Sequence, residues 1–291
     1  MTDVAQQTVG QMRAGDHYCL SFDADAEQRD VVTSYVRNGL AHHEQVTYFA
    51  ASDPVTVLDF LRDSGVEPDR FAASGQLRVM APQEAFLATR PFDPDAMVEQ
   101  LRQTADKAFA AGYQGLRVTG EPSVLRGRPG ADRWPEYEHK AADDFTDRPV
   151  LALCQYDRRV FTPAEIAEVE SLHTHTVVPN PLYQDGRLSI FRMFRPPGFR
   201  MVGELDIAQV TAWLSWIHRA ASGTEDDVLL NLAELRFIDV AGARMLALLS
   251  DQLTQHGRRL VLQELQPAQC IVFHLAGWDE LPNLVLAETP S

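Results

Sequence analysis

Residues 150–156 read VLALCQY, the most apolar short strand pattern in the chain. Apolar side chains on both faces of a strand require cover on both faces. That places the strand at the centre of a parallel sheet. Strand and helix patterns alternate on either side of it. Residues 17–22 (HYCLSF), 46–50 (VTYFA), 77–80 (LRVM) and 116–119 (LRVT) read as strands. Between them, Val32, Val36 and Leu40 recur at helical spacing, and Val55, Leu58 and Leu61 follow Pro54 at a first helical position. Met97, Leu101 and Ala108 mark a helix over 94–111, and Pro163 opens another that runs to about His173. This alternation predicts an α/β layer with helices on both faces of the sheet.

A second unit begins near Asp185-Gly186. Residues 188–194 (LSIFRMF) and 199–205 (FRMVGEL) are joined across a Pro/Gly-bearing link and predict an antiparallel pair. Asp206 suits the N-cap of a helix carrying Val210, Leu214 and Ile217. Residues 228–232 and 259–263 read as strands. Met245, Leu249 and Leu253 form the stripe of a helix ended by Gly257, Pro267 starts a short helix, and 284–286 is a last strand. The expected organisation is a flexible arm over 1–14, a first domain over 15–184 and a second over 185–291.

The 291 residues suffice for two domains. Net charge is −15, from 41 acidic against 26 basic residues, which argues against nucleic-acid or anionic-membrane binding. Protein partners and small ligands stay open. Three widely spaced cysteines, Cys19, Cys154 and Cys270, suit a reducing compartment. The first residues lack the basic and apolar segments of a signal peptide, and no apolar run reaches the roughly 20 residues of a membrane span. A cytoplasmic protein is expected.

The strand-to-helix junction at Asp239-Val240-Ala241-Gly242 gives the second unit its character. Together with Gly203-Glu204-Leu205-Asp206, Leu230-Asn231-Leu232 and Phe237-Ile238, it resembles the STAS domain of bacterial anti-sigma factor antagonists. In that family the turn reads Asp-Ser-Ser-Gly, and a partner kinase phosphorylates a serine there. The dephosphorylated antagonist binds the kinase and frees a sigma factor. Val240 and Ala241 offer no oxygen nucleophile, so the resemblance implies docking to an anti-sigma factor or related kinase without the covalent switch. A merely well-capped turn is the competing reading.

Blocks along 15–184 resemble the MEDS sensory domain. They are Gly15-Asp16-His17-Tyr18-Cys19, Gly39-Leu40, Gly75-Gln76-Leu77, Gly112-Tyr113, Arg117-Val118-Thr119-Gly120-Glu121, Tyr137-Glu138, Cys154-Gln155-Tyr156-Asp157-Arg158 and Asn180-Pro181. The resemblance implies a degenerate KaiC-like or RecA-like domain used for sensing small ligands. The sequence itself carries no P-loop. After the first strand stands Phe22-Asp23-Ala24-Asp25-Ala26-Glu27, with no glycine, no lysine and three carboxylates that would repel a triphosphate. No conventional ATP site and no hydrolysis are expected.

Ligands of open parallel sheets bind at the carboxyl ends of the strands. The ligand-binding candidates of the sensor are therefore His17, Cys19, Glu121, Tyr137, Cys154, Tyr156 and Arg158. His17, Cys19 and Cys154, with His173 or His175, could also ligate a metal. No close pair such as Cys-x-x-Cys is present, however, and buried cysteine beside a hydrogen-bonded core histidine accounts for the same residues, so no metal is assigned. Glu121, Glu136 and Glu138 could form a carboxylate pair, but glutamates near helix starts usually sit on a solvated face. A small-molecule enzyme using Glu121 and Tyr156, a structural scaffold and a homodimer all stay open.

Overall fold

The computed structural model of the chain describes residues 5–89, 91–146, 148–206 and 226–287. Contacts divide the chain into two units, Met1–Asn180 and Pro181–Ser291. The helix expected over Val210, Leu214 and Ile217 lies outside the described residues.

The first unit holds seven strands: β1 (Gln6–Thr8), β2 (His17–Phe22), β3 (Gln45–Phe49), β4 (Leu77–Met80), β5 (Leu116–Gly120), β6 (Val150–Asp157) and β7 (His175–Val178). Their order is β1-β7-β2-β6-β5-β3-β4, and every neighbouring pair is parallel. The apolar 150–156 run thus lies between β2 and β5, with a covered surface on each side. One face packs Tyr18, Leu20 and Leu153 against Val32 and Tyr35 of α1 (Asp25–Ala41) and Leu61 of α2 (Pro54–Asp63). The other packs Cys19, Val118 and Tyr156 against α4 (Pro94–Ala110), α5 (Trp134–Phe145) and α6 (Pro163–Leu172), with α3 (Pro68–Ala73) leading into β4.

Two expectations change here. Val57 rather than Val55 faces inward on α2, where Val55 is exposed. The arm over 1–14 includes β1, whose residues pair with β7 from Gln6↔Thr176 to Thr8↔Val178, and Val9 behind it is buried. A three-residue strand with polar side chains carries too little pattern to read, and its partner strand has only four residues.

One buried ion pair ties α1 to the sheet. Arg117 of β5 donates from Nε to Glu44 and from Nη2 to Asn38 Oδ1 at 2.6 Å, and its guanidinium lies 5.0 Å from the centre of the Tyr35 ring. Gly39 makes room for it. A Cβ there would stand 2.6 Å from Arg117 Cδ and 2.9 Å from Val46 Cγ2.

The described residues of the second unit form one sheet of six strands: β8 (Tyr183–Gln184), β9 (Leu188–Phe194), β10 (Pro197–Leu205), β11 (Val228–Ile238), β12 (Leu260–Gln263) and β13 (Leu284–Leu286). The order is β13-β12-β11-β10-β9-β8, antiparallel from β8 to β10 and parallel beyond. Helices α7 (Val240–Thr254) and α8 (Pro267–Leu275) cover it, burying Leu246, Leu249, Leu253 and Phe273 against Leu230, Leu232 and Leu262. Leu246 takes the central place on α7, while Met245 is only half-buried. Tyr183 pairs with Ile190, so residues 183–184 belong with the second sheet rather than with the first domain as expected. No described helix is long and apolar enough to cross a membrane.

Gly39→Ala forces Arg117 or Val46 to move in a packed site. It should lower stability by about 1–3 kcal/mol, read from urea denaturation of the full chain. An unchanged midpoint would mean that Arg117 yields without cost.

Candidate functional site

The α5 helix carries Trp134, Tyr137, Glu138, Ala141 and Phe145 on its buried side. Their spacing follows one helical stripe, so Glu138 points at the sheet with the aromatics. It has no exposure to solvent, which reverses the solvated-face expectation. Glu136, on the opposite side, pairs with Arg133 and Lys140 at the surface, and those two cations draw its pKa down to about 2.

Glu138 meets His17 of β2 and Cys154 of β6, which share a face because His17 pairs with Ala152 and Cys19 with Cys154. His17 Nε2 lies 3.1 Å from Glu138 Oε2 and 3.1 Å from Cys154 Sγ. Cys154 Sγ stands 3.6 Å from the same carboxylate oxygen. His173, the residue after α6, places Nε2 3.6 Å from it as well. The other carboxylate oxygen accepts from Tyr156 Oη, which in turn accepts from Trp134 Nε1 at 2.8 Å.

Tautomers follow from these contacts. His173 Nδ1 donates to the Val169 carbonyl at 2.6 Å, since a carbonyl only accepts. Burial, then the neighbouring His17, holds the His173 pKa down at about 4, so the ring is neutral at neutral pH. Burial pushes the Glu138 carboxyl upward, and the hydrogen bonds it accepts from His17 and Tyr156 favour its ionised form against that. Burial and the Glu138 charge raise the Cys154 thiol well above its usual range. The cluster brings two histidine rings and a cysteine around one buried glutamate.

The sequence candidates divide. His17, Cys154 and Tyr156 gather around Glu138. Tyr137 and Cys154 line a small apolar cavity of about 20 Å³ with Phe86, Val118 and Trp134. Cys19 is buried one step further along β2, and its thiol is likewise raised by burial. His175 lies on the other face, its ring 5.4 Å from Tyr18. Glu121 also lies apart. It accepts from Gln28 Nε2 at 2.8 Å, and the same Gln28 nitrogen bonds Gln155. Arg158 is exposed and bonds Ser21 Oγ at 2.8 Å and Glu170 at 3.2 Å.

The loops beyond the carboxyl ends of β4 and β5 frame two larger cavities. One of about 300 Å³ is lined by Leu125, Arg126, Trp134, Phe161 and Glu165, and one of about 400 Å³ by Leu87, Phe92, Leu125 and Arg128. In the β2–α1 turn, where a phosphate loop would sit, Arg159 clamps Asp25 at 2.6 Å and Asp157 at 2.7 Å.

In the second unit, Asp239 caps α7, with Oδ1 accepting the Gly242 N–H at 2.6 Å. Gly242 lets the helix close onto β10. A Cβ there would meet the Leu205 carbonyl oxygen at 2.7 Å. Val240 projects outward with 63% of its surface exposed, Ala241 is half-buried, and Phe237 and Leu248 are exposed beside them along the same end and face.

Tyr156→Phe removes the partner of the buried Trp134 N–H and of Glu138 Oε1. It should cost about 1–3 kcal/mol in denaturant unfolding. Burial raises Glu121 above its ordinary 4.5. Between that value and the higher folded one, the folded chain binds more proton than the unfolded chain, so stability falls as pH rises through the window. Glu121→Gln should flatten this segment of a plot of Tm against pH, and a slope unchanged by the substitution would place its origin elsewhere.

The family model described as MEDS, "MEthanogen/methylotroph, DcmR Sensory domain", matches residues 16–174, and a STAS domain model matches residues 196–289. None of the curated proteins compared with the chain matches it. Among solved structures it is similar to a KaiC-like protein from the hyperthermophilic archaeon Pyrococcus horikoshii OT3. That match has a TM-score of 0.44 and 10% identity, and covers 62% of this chain and 79% of the other. The buried cluster falls within the first matched segment and the capped turn within the second, and the chain belongs to the MEDS family, here followed by a STAS domain.

Proposed function

We propose that the chain is a non-catalytic signalling regulator whose STAS unit docks an anti-sigma factor or related kinase without phosphorylation, under control of a small ligand held by the sensory unit. One observation carries the reading. The turn at Asp239–Gly242 keeps its cap and its close helix contact, while an exposed Val240 and an Ala241 stand where a phosphate acceptor would be. Val240, Arg244 and Leu248 fall on one face of α7, with Phe237 exposed just before the turn. An apolar tip of this kind suits a contact that does not depend on charge state. The cavities of about 300 and 400 Å³ beyond the strand ends are of a size for a small molecule. Coupling is then linkage. A ligand that changes affinity for the partner has its own affinity changed by the same factor when the partner binds.

Val240→Asp should weaken binding to the anti-sigma kinases of the source organism by about tenfold or more, roughly 1.4 kcal/mol, in titrations with the full chain. Val240→Ser should accept phosphate from a docked kinase and make binding phosphate-sensitive. Wild-type affinity in the Val240→Asp chain would remove the turn from the interface.

A further inference from the structure

We propose that His17, Glu138, Cys154 and His173 form a closed tetrahedral site for one divalent transition-metal ion, with Zn²⁺ as the best match. The inference stands on the geometry of the cluster and is independent of the signalling reading.

The four donor atoms all lie within 4.8 Å of one another. Zinc bonds of about 2.0–2.3 Å set tetrahedral donors about 3.3–3.8 Å apart. Four of the separations in the cluster are 3.1, 3.1, 3.6 and 3.6 Å. An ion therefore fits with small shifts of the side chains.

The chemistry agrees with the spacing. His173 Nδ1 is committed to the Val169 carbonyl, which leaves a lone pair on Nε2. That nitrogen is buried, has no hydrogen-bond partner and faces a carboxylate oxygen. His173 Nε2 and Glu138 Oε2 thus stand 3.6 Å apart, the separation of two ligands on one tetrahedral ion. A backbone carbonyl that orients a ligating imidazole is a recurrent support of metal sites. Tyr156 supports Glu138 in the same way from its far oxygen. His17 Nδ1 lacks a partner with either assignment of its proton and decides nothing.

Two nitrogens, a sulfur and a carboxylate oxygen form a set of intermediate softness, which favours Zn²⁺ over Mg²⁺ or Ca²⁺. Four protein ligands leave no open position, so the ion is structural. Binding displaces the Cys154 thiol proton to solvent, and the ion cross-links β2, β6, α5 and the end of α6.

The test uses the full chain. Native mass spectrometry of protein as purified should show one Zn²⁺ per chain. After chelation, adding Co²⁺ should produce a thiolate-to-cobalt charge-transfer band with tetrahedral d–d bands. Cys154→Ser should abolish the charge-transfer band, whereas Cys19→Ser, one step along β2, should retain it. Tyr156→Phe keeps all four donors and should weaken Co²⁺ binding by about 10–100-fold, which covers the case in which Cys154→Ser fails to fold. A chain that purifies without metal and shows no Co²⁺ bands while folded by circular dichroism overturns the proposal. So does a charge-transfer band that survives in folded Cys154→Ser, or one lost in Cys19→Ser alone.

Discussion

A carboxylate with no exposure to water lies against the middle of the first sheet, and the packing around it is arranged to satisfy it. Removing an ion from water costs several kcal/mol unless charge and hydrogen bonds replace the solvent. Glu138 draws those replacements from His17 on β2 and Tyr156 on β6, with His173 at the end of α6 facing it. Each partner is itself held. Tyr156 is fixed by the Trp134 indole, His173 by the Val169 carbonyl, and His17 stands edge-on to Phe145 with ring centres 5.8 Å apart. The contacts of Glu138, with the aromatic packing beside it, fix α5 against β2 and β6.

The layered fold was legible from period and burial alone. The run at 150–156 had to be central, and the alternation around it had to wind into a parallel sheet. The elements that escaped were short or mixed in character. β1 and β7 carry too few residues for a pattern, and Trp134–Phe145 carries Glu138 inside its apolar stripe, which masks the helical period. The same residue explains the partial view of the site. His17, Cys154 and His173 were visible as candidate donors, but nothing in their spacing showed that a glutamate from another helix stands between them. Cys19 and His175 looked equivalent to them in sequence. Register and the face of each strand separate the two groups, and register is a property of the folded sheet.

Two turns of the chain depart from phosphate chemistry in the same direction. After β2 stand Asp23, Asp25 and Glu27, with Asp25 clamped by Arg159, where glycines and a lysine would bind a nucleotide. After β11, the tip of the turn is Val240 and Ala241, neither of which carries a hydroxyl. The backbone frame of the second turn is intact, with its aspartate cap and its glycine pressed against Leu205. A cap and a close contact stabilise the junction whichever side chains occupy its tip, so the tip can change its chemistry without loss of the fold.

The parallel winding also has a bearing on how the chain reaches its native state. His17 and Cys154 touch across 137 residues, and Gln7 meets His175 across 168. Contacts of such long range repay the entropy of closing their loops only late, and they slow folding relative to local pairings. During synthesis the first strand emerges with its partners still unmade. The ring of donors around Glu138 is completed only when His173 leaves the ribosome, shortly before the second unit begins. A finished cluster therefore signifies that the entire first unit has closed.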